Sequence, residues 1–75
     1  MPLVEIKFFE GELSEAQTQE VIEKVTDVLV SFSGEGLREA TWVVVREVKS
    51  GHWGVGGKAL GLDDIRAIQE GGPNR

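Results

Sequence analysis

A single long amphipathic helix set between two strand-like segments limits this chain to very few topologies. Leu3 to Phe9 alternates, with Val4, Ile6 and Phe8 on one face and Glu5 and Lys7 on the other, which is the period of a half-buried strand. Val21, Ile22, Val25, Val28, Leu29 and Phe32 then recur at helical spacing as one apolar stripe, and Glu20, Glu23, Lys24 and Asp27 fill the solvated side. Ala40 to Val48 carries Trp42, Val43, Val44 and Val45 in succession, which reads as a strand covered on both faces. Two strands joined by a long helix are most simply parallel, with a right-handed crossover. The predicted fold class is α/β (α+β), a β-α-β unit with a parallel two-stranded core. One helix covers only one face of such a sheet, so the other face calls for another subunit.

Local signals set the boundaries. Glu10-Gly11-Glu12 breaks the first strand, and Ser14 with Gln17 three residues on spells a capping box. Glu15 sits in the first turn, where the helix dipole favours a carboxylate. Ser33-Gly34 supplies the C-cap. Gly51-His52-Trp53-Gly54-Val55-Gly56-Gly57 is too rich in glycine for regular structure and predicts a C-terminal glycine-rich hairpin or looped turn. Leu62 to Gln69 fits a short helix with Asp63 and Asp64 near its start, and residues 71–75 fit a flexible tail.

At 75 residues the chain makes one domain, residues 1–75. A chain of this size buries only about 60% of the surface exposed by its unfolded form, and small domains usually need disulfides, a metal or association. Cysteine is absent and His52 is the only histidine, so disulfides and imidazole-based metal sites drop out and no metal site is expected. Self-association is left, and an apolar content of 40% suits it. Eight basic residues against thirteen acidic ones give a net charge of -5, the opposite of a nucleic-acid footprint. No apolar run reaches the roughly 18 residues of a membrane span, and no basic segment leads into an apolar one as in a signal peptide. The expectation is a cytoplasmic protein with neither nucleic-acid nor membrane partners.

The chemistry starts at Met1-Pro2. Initiator methionine is generally removed before a small residue such as proline, and removal turns an amide nitrogen into a secondary amine at the head of the first strand. Desolvation or a nearby cation would lower that amine's pKa and make it a general base at neutral pH, as for a buried catalytic lysine. Pro2-Leu3-Val4-Glu5-Ile6-Lys7 running into Glu10-Gly11, the Ser14-started helix, the valine-rich strand and the Gly51–Gly57 block together resemble the 4-oxalocrotonate tautomerase family, from Pro2 to about Leu60. The resemblance implies a β-α-β unit assembled as a hexamer, a trimer of dimers. It implies proton transfer between enol and keto tautomers with the N-terminal proline as the base, and no cofactor.

Carried over residue by residue, Pro2 matches the catalytic proline, and Trp53 matches the aromatic position that walls the apolar pocket. The family's two functional arginines would fall at Glu12 and Trp42. A guanidinium grips a carboxylate bidentately, whereas Glu12 would repel a dianion. Trp42 offers an indole N–H and a broad apolar surface, so a flatter and less charged small-molecule substrate is expected. Arg46, four residues beyond Trp42 on the same strand face, is the first candidate for a replacement cation. Arg38 and Lys58 read as surface charges. The substrate-binding set is thus Trp53, Trp42 and Arg46.

Two glycine patterns fail on context. Gly57-Lys58 lacks the earlier glycine and the following hydroxyl of a phosphate-binding loop, since His52 and Ala59 occupy those places. Gly54 to Ala59 follows the second strand and opens no long helix, unlike a dinucleotide fingerprint. His52 reads as a turn residue bonded to backbone. The family's hydration and dehalogenation chemistries would need a carboxylate to activate water, a role for which Glu12 is the candidate. Two alternatives differ in kind: a non-catalytic oligomeric binding protein that kept the architecture, and one subunit type of a mixed hexamer that takes its arginines from another chain.

Overall fold

The computed structural model of the chain describes residues 1–71. Strand β1 (Leu3–Phe9) leads through a tight loop into helix α1 (Glu15–Ser33), and a 3₁₀ segment (Glu35–Ala40) leads into strand β2 (Trp42–Val48). A short hairpin of β3 (Gly54–Val55) and β4 (Lys58–Ala59) follows, and helix α2 (Leu62–Gln69) comes last. β1 and β2 pair in parallel, with Leu3 opposite Trp42, Lys7 opposite Arg46 and Phe9 opposite Val48. This is the β-α-β unit with a parallel two-stranded sheet and a C-terminal hairpin. Of the tail expected from the sequence, Gly71 closes a turn by donating its N–H to the Ile68 carbonyl at 3.0 Å. Residues 72–75 lie outside the described residues.

The helix ends follow their caps. Gln17 N–H donates to Ser14 Oγ at 3.1 Å, and Ser14 N–H donates to Gln17 Oε1 at 2.9 Å, so two orphan donors of the first turn are satisfied. Gly34 ends the helix at φ 100°, a conformation that disfavours a side chain, with its N–H on the Val30 carbonyl at 2.8 Å. Gly56 and Gly57 both take positive φ, as a two-residue turn between tightly paired strands requires.

The second strand starts later than its sequence reads. Residues 35–40, including Ala40, form the 3₁₀ segment, because Arg38 ties it back to α1. Nor is β2 covered on both faces within the chain. Val45 and Glu47 share a crevice with Leu13 and Thr18 of the helical layer, so odd-numbered β2 residues face α1. Trp42, Val44 and Arg46 therefore face away from it, and Trp42 stands 60% exposed. The apolar run reflects a two-sided strand whose second side is open.

The core is small. Only Phe9 and Val30 are buried among the described hydrophobic residues. Phe9, by alternation a member of the outward set, is the most enclosed side chain because the C-terminal hairpin and α2 close over that end of the sheet. The α1 stripe divides likewise. Ile22, Val25 and Leu29 are half-buried, whereas Val28 and Phe32 are exposed. The radius of gyration is 15.3 Å, against about 11 Å for a compact domain of this length.

Candidate active site

Pro2 precedes the first residue of β1, is half-buried, and accepts the Trp42 N–H on its carbonyl at 2.9 Å. With Met1 before it, its nitrogen is an amide. Trp42 thus adjoins Pro2 through the sheet, with Leu3 opposite it on the face away from α1. Both side chains are more than half exposed. Arg46 stands on the same open face, as the strand period requires, with Nε 3.7 Å from Glu5 Oε2.

Trp53 lies elsewhere. It is half-buried and lines a concavity of about 400 Å³ at the opposite end of β1, with Lys7, Phe9, Glu12, Leu60 and Ile65 among its neighbours. Lys7 is five residues past Pro2, roughly 16 Å along a strand. One chain therefore brings Pro2 and Trp42 together at one end of the open sheet face, while Arg46, level with Lys7 on that face, and Trp53 lie toward the other end, and it brings neither of them to Pro2.

Glu12 belongs to the Trp53 end. Its carboxylate accepts the Phe9 N–H at 3.1 Å, and its own N–H donates to the Phe9 carbonyl at 2.9 Å, which holds it at the rim of the concavity. The loop is stitched further by Glu47, whose carboxylate accepts the Gly11 N–H at 3.2 Å. Arg66 of α2 donates to the Gly11 carbonyl at 3.1 Å. α2 is thereby pinned beside the loop, and Asp64 caps its start by accepting the Gly61 N–H at 2.8 Å.

The other cations have structural work. Arg38 donates to Glu35 at 2.6 Å and to Asp27 at 2.8 Å, clamping the 3₁₀ segment to α1. Hydrogen bonding to Glu35 and then to Asp27 raises its pKa further above the ordinary guanidinium value. Lys58 stands 3.9 Å from Asp64 and is largely exposed. His52 donates its N–H to the Lys49 carbonyl at 2.8 Å in the turn before the hairpin.

Lys7 is the residue that sequence reasoning left out. Its place on the outward face of an alternating strand reads as ordinary solvation, yet it lines both the Trp53 concavity and the adjoining hollow that holds His52 and Val48. The available signal is the register, which sets it opposite Arg46, and register is not visible in a single strand.

Known proteins are similar to this chain in sequence and fold. Residues 2–63 match the family described as tautomerase enzyme. A probable tautomerase of Staphylococcus aureus is 39% identical over 57 residues, spanning 76% of this chain and 90% of that relative. A probable tautomerase of Halalkalibacterium halodurans is 37% identical over 60 residues, spanning 80% of this chain and 95% of that relative. Among solved structures, one from the 4-oxalocrotonate tautomerase isozymes of Methylibium petroleiphilum superposes with a TM-score of 0.68 at 34% identity, covering 77% of this chain and 90% of that one. TomN, a 4-oxalocrotonate tautomerase homologue in the tomaymycin biosynthetic pathway, superposes with a TM-score of 0.71 at 29% identity, covering 88% and 95%. The parallel β-α-β unit, the glycine hairpin and a sequence match over most of its length make this chain a member of the tautomerase family.

Proposed function

We propose that this chain is a proline-dependent keto–enol tautomerase, an isomerase that uses no cofactor and acts on a small unsaturated or aromatic keto acid. After Met1 removal the Pro2 amine takes the enol O–H proton. The carbonyl forms as the C=C electron pair takes a proton at carbon from the resulting ammonium, and the free amine returns. Trp42, beside Pro2, supplies an apolar wall. Arg46, level with Lys7 toward the far end of the same face, reaches the site from a second copy and supplies positive charge for the developing oxyanion. Trp53 and Glu12 come to the same site from a second copy, since one chain holds them at the far end of the sheet. The working unit is a cytoplasmic homohexamer, a trimer of dimers, in which the open sheet faces are covered. Glu12 and Trp42 at the places of the family's arginines favour a flat monoanion over a dianion.

The observation that supports this reading most is Pro2 at the head of β1 in a chain whose residues 2–63 match the tautomerase family. The test is turnover of phenylpyruvate enol by the wild type and by Pro2→Ala. General acid–base catalysis contributes about 10²–10⁴-fold, so kcat/KM should fall by about 10²-fold or more in the variant. Unchanged turnover in Pro2→Ala would remove the proline from the mechanism.

A further inference from the structure

The Trp53 concavity has a wall that the family match does not reach: Ile65 and Ile68 of α2 line it, and both lie beyond residue 63. With Phe9, Trp53 and Leu60 they make a largely apolar space of about 400 Å³, toward the small end for a ligand site. Its lining holds one cation, Lys7, and one carboxylate, Glu12. Glu12 is engaged by the Phe9 N–H. Lys7 has no carboxylate within 4 Å among the described residues. Directly opposite Lys7 in the register stands Arg46, a second cation on the same face, and Glu5 is the carboxylate paired with it. Like charges directly opposite each other in a sheet are unfavourable. A chain of net charge -5 thus keeps Lys7 in the wall of an apolar hollow, with a second cation next to it across the sheet.

We infer that Lys7 anchors the carboxylate of the ligand in this concavity, with Arg46 reinforcing it, and that α2 shapes the space for a flat aromatic monocarboxylate. The ring packs against Trp53 and Ile65, and the lysine stem lies along the apolar wall while its ammonium meets the anion. Glu12 disfavours a second carboxylate. The inference rests on the tautomerase reading for what the site is used for, but its test does not need turnover.

Calorimetric titration of the assembled wild-type protein with trans-cinnamate and with neutral cinnamamide separates charge from shape. Lys7→Gln should weaken cinnamate binding about fivefold, the upper range for a partly exposed ion pair, and Lys7→Arg should restore it. Cinnamamide should bind wild type and Lys7→Gln equally, and Ile68→Ser should weaken both ligands. Equal cinnamate affinity in wild type and Lys7→Gln, or an equal loss for both ligands in Lys7→Gln, overturns the anchor. So does a wild type that binds no cinnamate. Turnover that depends on Pro2 while cinnamate binding ignores Lys7 defeats this inference and leaves the tautomerase reading standing. Lys7-dependent binding in a protein without turnover does the reverse.

Discussion

Arg38 holds two carboxylates at once and shows how single side chains divide between scaffold and site. Hydrogen bonding to Arg38 holds the Glu35 carboxyl below its ordinary value of 4.5, and Lys24 does the same for Glu20. A carboxylate whose folded pKa is depressed adds stability above its unfolded value, and that stability is lost as pH falls through the folded value. The clamp should therefore be intact at neutral pH and weaken on the acid side of 4.5. Chemical denaturation at pH 7 and at pH 3 checks this. Glu35→Gln should lose less stability between the two than wild type does, and an identical loss would mean that the ion pair contributes nothing. Arg38 was legible as a surface charge but not as a clamp, because its partner Asp27 is eleven residues away across a helix end. Lys7 was illegible for the related reason that its surroundings come from β2, the hairpin and α2. Arg46 was placed on the face of Trp42 because a strand's period of two needs no partner to be read.

The elements whose signals are local came through most faithfully. α1 begins after Ser14 and ends at Ser33 because a reciprocal cap and a positive-φ glycine act within a few residues of where they sit. Ser14→Ala should cost about 1 kcal/mol, the usual value of an N-cap. Urea denaturation at fixed protein concentration measures it, since association shifts apparent stability. No change in midpoint would show that tertiary packing alone sets the helix start. The 3₁₀ segment is not legible in the sequence, because Glu35 to Ala40 has no periodic apolar pattern and takes its shape from Arg38 and from Thr41, whose hydroxyl donates to the Leu37 carbonyl at 2.8 Å. α2 was read with its observed bounds, but its contribution to the Trp53 concavity depends on the Arg66 bond to the Gly11 carbonyl, a contact 55 residues apart.

At the level of the whole molecule, two buried hydrophobic side chains among the described residues are too small a core for an independent domain. On α1 the exposed Val28 and Phe32 continue the helical spacing of the half-buried Val21 and Val25, and Phe32 is 88% exposed in the single chain. On the other side the sheet presents Leu3 and Trp42. In the proposed assembly, association covers both surfaces and the site is divided between Pro2 and Trp53 of different copies, so activity should depend on it. Sedimentation equilibrium should find six chains in the wild type. Phe32→Asp should shift the distribution to smaller species at the same concentration and lower turnover in parallel, whereas full activity in a monomer would exclude a shared site. The proposed base is the amine of Pro2, and chemical trapping reaches it without any choice of physiological substrate. Incubation with benzaldehyde and a mild hydride reductant at neutral pH, followed by peptide mapping, should place the reduced adduct on an N-terminal Pro2 that has lost Met1, ahead of any lysine. A Pro2 peptide that still carries Met1 in the active protein, or one left unlabelled while lysines react, would contradict it.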